Sequence, residues 1–303
     1  MPKQIPNMRS RPIAQLSLLA MVTGSLAACA TDDVDGDVAE AQQAFTGNDN
    51  YSWGDTKYNA VDIGTSVGRT CFLTGIGGGM RPSNAYLFAP GPAEAAQAGV
   101  RKKPNGNYEL YVEPSAGFHL IAFARCVNSA AGRIEASWWN GAQDQDGDKV
   151  LGPATNGREC FLQEIQNVPV TDYLPNSTQY TGFSWGFDDR PLMDEVRVAQ
   201  DNGLWKMSVT ADAHSFPVHI AATAVCVNAT HADGGFTVGI NFPGTAQVDL
   251  TNKPGATCGL TGVRGNFTAA LGDWDDSINI SQSGTQFKLN VKNGKRGWAR
   301  CMD

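Results

Sequence analysis

The chain has 303 residues, a formal net charge of −7, 42% hydrophobic content and 34 glycines. That acidity argues against a nucleic-acid partner and against an electrostatic grip on anionic lipid. Abundant glycine without a long helical pattern points to an all-β chain full of turns.

Residues 1–28 read as a secretory signal. Lys3, Arg9 and Arg11 make a basic start, Ile13 to Leu26 an apolar run too short to cross a bilayer, and small residues close it. Cys29 then follows Leu26-Ala27-Ala28. This Leu-Ala-Ala-Cys string resembles the lipobox of bacterial lipoproteins. The resemblance implies that Cys29 carries a diacylglycerol and becomes the mature N-terminus, anchored to a membrane. Ala30 and Thr31 resemble the residues that send such proteins on to the outer membrane, and so imply the bacterial cell envelope. Cysteine parity agrees, because Cys29 alone among seven cysteines lacks a repeat partner. Residues 29–48 contain Asp32, Asp33, Asp35, Asp37 and Glu40, no basic residue and few large apolar ones. Such a stretch cannot bury enough surface to offset its ordering entropy, so it reads as a solvated tether.

Three related units follow, over 49–132, 133–233 and 234–303. Each opens on a cysteine-led strand: Cys71-Phe72-Leu73-Thr74-Gly75-Ile76, Cys160-Phe161-Leu162-Gln163-Glu164-Ile165 and Cys258-Gly259-Leu260-Thr261-Gly262-Val263. A hairpin comes next, with turns at Pro104-Asn105-Gly106, Asp201-Asn202-Gly203 and Ser283-Gly284. In its second arm Tyr108, Leu110 and Val112 share one face, as do Trp205, Met207 and Val209, and Phe287, Leu289 and Val291. The other face receives Glu109 with Tyr111, Lys206 with Ser208, and Lys288 with Asn290. A period of two with one polar face marks a half-buried antiparallel strand. The closing strands deliver Cys126, Cys226 and Cys301 and are apolar on both faces, which predicts a central place in the sheet. Strand patterns at Ile134 to Trp139 and Phe236 to Phe242, with Tyr51 to Gly54 as the first equivalent, give five or six strands per unit.

Six cysteines beyond Cys29 in an exported chain imply disulfides. Pairing inside units (Cys71–Cys126, Cys160–Cys226, Cys258–Cys301) is favoured because the last unit ends just after its own second cysteine. The rival joins Cys126 to Cys160, Cys226 to Cys258 and Cys71 to Cys301. The first expectation for assembly is three small sandwiches in tandem. The second is one pseudo-threefold body in which each unit supplies a sheet, as in β-prism lectins. The openings and closings also resemble repeats in uncharacterised surface lipoproteins of myxobacterial type, a resemblance that implies no activity.

No nucleophile elbow, zinc-protease helix, Cys-x-x-Cys or phosphate loop appears, and Gly77-Gly78-Gly79 lacks the Lys-Ser/Thr of a phosphate cradle. His119 and His219 sit at matching strand positions and read as structural; His214 and His231 lie in or near loops. The chain therefore reads as no enzyme and as needing no cofactor. Asp144, Asp146 and Asp148 alternate like calcium ligands, but Lys149 replaces the glycine that an EF-hand requires and Thr155 the bidentate glutamate. A self-solvated charged turn is the preferred reading there. Unit two pairs Trp185 with Asp188 and Asp189, and unit three pairs Trp274 with Asp275 and Asp276. Indole faces stack on sugar C–H surfaces while carboxylates accept hydroxyl hydrogen bonds, so these residues are candidates for carbohydrate. Edge-plugging tryptophans with turn-forming aspartates are the plainer account. Trp138-Trp139 is a further candidate platform, although adjacent strand residues face opposite ways. The expected function is recognition of a surface ligand such as carbohydrate by a lipid-anchored protein. The alternative is a structural or assembly lipoprotein that grips an envelope protein.

Overall fold

The computed structural model describes residues 50–55, 58–80, 96–114, 119–139, 148–154, 157–169, 195–210, 218–229, 232–239, 244–265, 267 and 277–303. Among them the chain is all-β, with six strands per unit. Unit one holds β1 (Asn50–Asp55), β2 (Asn59–Thr65), β3 (Thr70–Gly78), β4 (Ala96–Lys102), β5 (Asn107–Glu113) and β6 (Leu120–Val127). Unit two holds β7 (Ile134–Trp139), β8 (Lys149–Pro153), β9 (Arg158–Pro169), β10 (Glu195–Asp201), β11 (Leu204–Thr210) and β12 (Val218–Asn228). Unit three holds β13 (Ala232–Gly239), β14 (Thr245–Thr251), β15 (Thr257–Arg264), β16 (Ser277–Ser283), β17 (Gln286–Lys292) and β18 (Arg296–Met302). The three bridges close within units, at Cys71–Cys126, Cys160–Cys226 and Cys258–Cys301, and the rival connectivity is absent. In each, the two cysteines stand directly opposite in register on the opening and closing strands. Such bridges stabilise by ~4 kcal/mol each through the entropy removed from the unfolded chain.

The three units form one pseudo-threefold body rather than sandwiches in tandem, but every sheet is shared between two units instead of being supplied by one. The three six-stranded sheets run β1-β6-β3-β16-β17-β14, β13-β18-β15-β10-β11-β8 and β2-β5-β4-β9-β12-β7. Each unit thus splits into a stapled half (strands one, six and three) and a hairpin half (two, five and four). The halves pack face to face, β5 over β1 and β6, β11 over β7 and β12, β17 over β13 and β18. Each hairpin half then pairs edge to edge with the stapled half of a neighbour. Three sandwiches are therefore fused into one closed pseudo-threefold ring. The last unit pairs with the first through β16 and β3, where Ile278 faces Ile76.

The opening strands meet at the centre of the ring. Phe72 and Phe161 stack there with ring centroids 4.4 Å apart. Unit three has Gly259 at the equivalent place. A Cβ there would lie 2.5 Å from Phe161 Cδ1 and 2.7 Å from Phe72 Cδ2. Two rings fill the axis, and the third strand must come in bare. Val127, Val225, Val227 and Met302 complete this buried cluster. Two residues along, each opening strand carries a bulge, at Thr74, Gln163 and Thr261, and all three side chains are buried. Gln163 donates from Nε2 to the Cys71 carbonyl at 3.3 Å, which ties unit two to unit one.

Below the rings, arginines reach across between units. Arg300 donates to the Glu159 carboxylate from Nε at 2.5 Å and Nη2 at 3.0 Å, and its guanidinium lies 5.2 Å from the Trp205 ring. Burial pushes the Glu159 carboxyl up, and the Arg300 charge opposes it. Arg125 likewise reaches Thr257 Oγ1, Gln282 and the face of Phe287, and burial brings its guanidinium down to about 10. Val225 takes this place at the remaining junction. There Arg133 from the linking turn donates to the Tyr108 hydroxyl at 2.7 Å instead.

The topology gives the ring two unlike poles. The disulfides, the axial rings and Met302 at the end of β18 share one pole, and Asn50 opens β1 there, opposite Arg125. The short turns β2–β3 and β4–β5, with their equivalents, also lie at this proximal pole. The hairpin turn of unit two is a two-residue one, with Asn202 and Gly203 both at positive φ (50° and 75°), as a type I′ turn requires. The connections after strands one, three and five of each unit leave from the distal pole.

Gly259→Ala is expected to cost about 1–3 kcal/mol by overpacking. Phe161→Ala should cost about 3–5 kcal/mol. In chemical denaturation the double variant should be clearly less destabilised than the sum, because removing the ring makes room for the methyl. Additivity within ~0.5 kcal/mol would remove the axial constraint.

Candidate functional site

Where two units join, each sheet has an outer-face row in which a glycine meets a side chain from the neighbour. At the unit three–one seam Gly75 faces Asn279, and at the unit two–three seam Gly262 faces Arg197. Phe123 and Trp298 from the closing strands lie against these glycines, 2.9 Å from where each Cβ would be. At the unit one–two seam the arrangement is reversed. Gly99 is on the hairpin strand, and it faces Glu164, whose Cα and Cβ would each lie 2.7 Å from an added Cβ. Thr223 stands where the other two sheets have an aromatic residue. The aromatic comes from the hairpin instead: Tyr111, paired with Gly99, reaches across the bare position toward β9.

This explains a departure from the alternation pattern. The outward set Glu109 and Tyr111 is buried, 8% and 0% exposed, because the seam surrounds it with polar groups. The Tyr111 hydroxyl donates to Gln97 Oε1 at 3.4 Å and also meets Glu164 and Gln166. Gln97 donates to Glu113, and Gln166 to Glu164. The Arg101 guanidinium lies 4.2 Å from the centre of the Tyr111 ring. Its Nε binds Glu109 at 2.6 Å and its Nη2 donates to the Tyr58 hydroxyl at 2.7 Å. Tyr58 is 47% exposed and the Arg101 side chain 41%, so this end of the cluster opens to solvent. On the far side Ser137 Oγ and Thr223 Oγ1 are 2.9 Å apart. The outcome is a flat array of amides, carboxylates, hydroxyls and one guanidinium across four or five strands. Donors and acceptors alternate along it, which suits a ligand whose own groups both donate and accept.

The charges are held by local chemistry. Hydrogen bonds from Lys103 (2.7 Å) and Asn107 bring the exposed Asp62 carboxyl down to about 2. Burial and then the Glu164 charge push the Tyr111 phenol far above its usual range. Burial and Glu135 push Tyr108 up to about 12.

The sequence-derived candidates fall differently. Cys29, Asp144, Asp146, Trp185, Asp188, Asp189, Trp274, Asp275, Asp276, His214 and His231 lie outside the described residues. Asp148 is exposed just before β8, and no group of three metal-ligating side chains occurs among the described residues. Trp138 is half-buried, with the Lys149 ammonium 5.5 Å from its ring, and so is no open platform. No described helix is long and apolar enough to cross a membrane. The connections that carry the aromatic–acidic pairs are 170–194 and 266–276, after β9 and β15, and the aspartate string is 140–148, after β7. All three leave from the distal pole, and Gln97, Glu113 and Gln166 sit at the distal ends of their strands. The polar seam was missed because its members come from five separated segments: Tyr58, residues 97–113, Ser137, residues 164–166 and Thr223. Its one local signal is Glu164 standing where the other units have Gly75 and Gly262.

A tyrosine whose folded pKa is raised contributes stability that is complete below its unfolded value of ~10 and lost as pH rises through the folded one. Absorbance titration should show Tyr108 ionising near pH 12 and Tyr111 only on unfolding. The fall in Tm between about pH 10 and 12 should be shallower in Tyr108→Phe. Ionisation of all seven tyrosines in one step near pH ~10 with the fold intact would contradict the burial of both phenols.

No protein-family model matches the chain, and no curated protein is detectably similar to it, so its role has to be inferred from its own residues.

Proposed function

We propose that this is a non-catalytic recognition protein of the bacterial envelope. It is lipid-anchored through Cys29 to the outer membrane and binds carbohydrate at its distal pole. The observation that carries this reading is the segregation of the molecule into poles. The chain comes in at one pole, on short turns beside the disulfides. The other pole receives every connection in which the sequence pairs tryptophan with aspartate. A rigid sheet body with variable loops at one end is a common way to build a binding site. The polar seam beside that pole adds amide, carboxylate and hydroxyl groups suited to sugar hydroxyls, and Tyr58 adds an exposed ring. Three disulfides fit an oxidising compartment outside the cytoplasm.

A glycan array probed with the chain from residue 29 onward, which contains every strand, tests the reading. Saturable binding to at least one sugar is expected, lost in Trp185→Ala or Trp274→Ala. Gln97→Ala combined with Glu113→Ala should weaken it about tenfold, which corresponds to ~1.4 kcal/mol. Thermal stability should stay near that of the parent in all of them. Uniform silence across the array would reject carbohydrate as the ligand.

A further inference from the structure

We propose that the proximal pole rests on an anionic lipid surface, an electrostatic contact that turns the distal pole away from the membrane. This rests on the reading of residue 29 as the point of attachment. The net charge of −7 hides an uneven distribution that only the topology reveals. Around unit one and the adjoining turn of unit three, the proximal turns carry Arg69, Lys102, Lys103, Arg133 and Lys253 and no acidic residue. Lys102 is exposed and the others half-buried. Asp62 and Glu135 on the flanking strands partly offset Lys103 and Arg133. Elsewhere at this pole Asp201 is held by Lys206 at 2.5 Å, Asp233 lies near the start of β13, and Asp303 follows the end of β18. The strands that lead into connections 140–148, 170–194 and 266–276 end at the other pole, and those connections hold ten aspartates against the single Arg190.

Distance and screening turn this asymmetry into an orientation. The nine residues of β3 separate the poles by roughly 30 Å at 3.3 Å per residue. A charged surface is felt only within about 8 Å at physiological ionic strength. A membrane close to the proximal pole therefore meets the basic turns and not the distal aspartates. The reversed orientation would bring the aspartates to the lipid and be repelled. The tether cannot set the orientation by itself, since some twenty residues can extend to roughly 70 Å.

The test needs no natural acylation. Cys29 is the one cysteine outside a disulfide, so the chain from residue 29 onward can be coupled through its thiol to a maleimide lipid. It is then displayed on vesicles of phosphatidylglycerol or of phosphatidylcholine. Lysines are modified with a membrane-impermeant reagent and read by peptide mass spectrometry. On phosphatidylglycerol, Lys102, Lys103 and Lys253 should react several-fold more slowly than on phosphatidylcholine, and the difference should vanish at about 0.5 M salt. Lys149, opposite Met207 halfway along its sheet, and Lys292, at the distal pole, should react equally on both. Lys102→Glu combined with Lys253→Glu should abolish the protection of Lys103. Equal labelling on the two lipids overturns the proposal, as does protection of Lys149 and Lys292. Protection that is the same on both lipids would mean that the acidic tether covers the turns, and it too counts against the lipid contact. Whether native Cys29 is acylated is read separately, from the mass of the N-terminal peptide, so failure of the anchor and failure of the orientation are distinct results.

Discussion

Close packing at the threefold centre governs this molecule. Three opening strands come together there, and the space between them holds two phenylalanine rings. The third strand is admitted because residue 259 has no side chain. Interiors pack at near-crystalline density, so this arrangement has almost no slack in either direction. The seams repeat the logic on the outside, where a bare glycine meets a side chain from the next unit and an aromatic residue covers the gap. Exact threefold symmetry would put three equal side chains into spaces that hold two. The departures of this chain from its own repeat are what let the repeats close.

Closure also decides how the three units share stability. A small sandwich standing alone has two open sheet edges on the side of strands three and four, and open edges invite wrong pairing. Here each such edge is paired with a neighbour, in the same way around the ring. The bridges then fix the opening strand to the closing strand within each unit. Covalent ties thus act inside units, and hydrogen-bonded ladders act between them. The buried Arg300–Glu159 pair adds specificity to one junction, since removal of either partner would leave a buried charge alone.

Much of the architecture was legible in the residues themselves. The cysteine-led motifs located the opening and closing strands, and the period-two patterns located the hairpins, because burial on one face leaves a local record. The closing strands were rightly placed in the interior of their sheets, with a partner on each side. The sharing of sheets was not legible: nothing local to Gly75 states that its neighbour is Asn279, two hundred residues away. The burial of Tyr111 was not legible for the same reason. Alternation put it outside, correctly, but outside is a covered polar seam in that one sheet. The loops that carry Trp185 and Trp274 gave chemistry without position, and the described strands supply only the pole from which they leave.

The pairing of β16 with β3 has a bearing on biogenesis. A polypeptide made from its N-terminus presents β3 long before residues 277–283 emerge. The first module must therefore wait, with its flank unsatisfied, until β16 has been made. Early oxidation of Cys71 with Cys126 would hold that module together during the delay without completing it. Closure of the ring is thus obliged to wait for β16, which acts as the clasp of a bracelet.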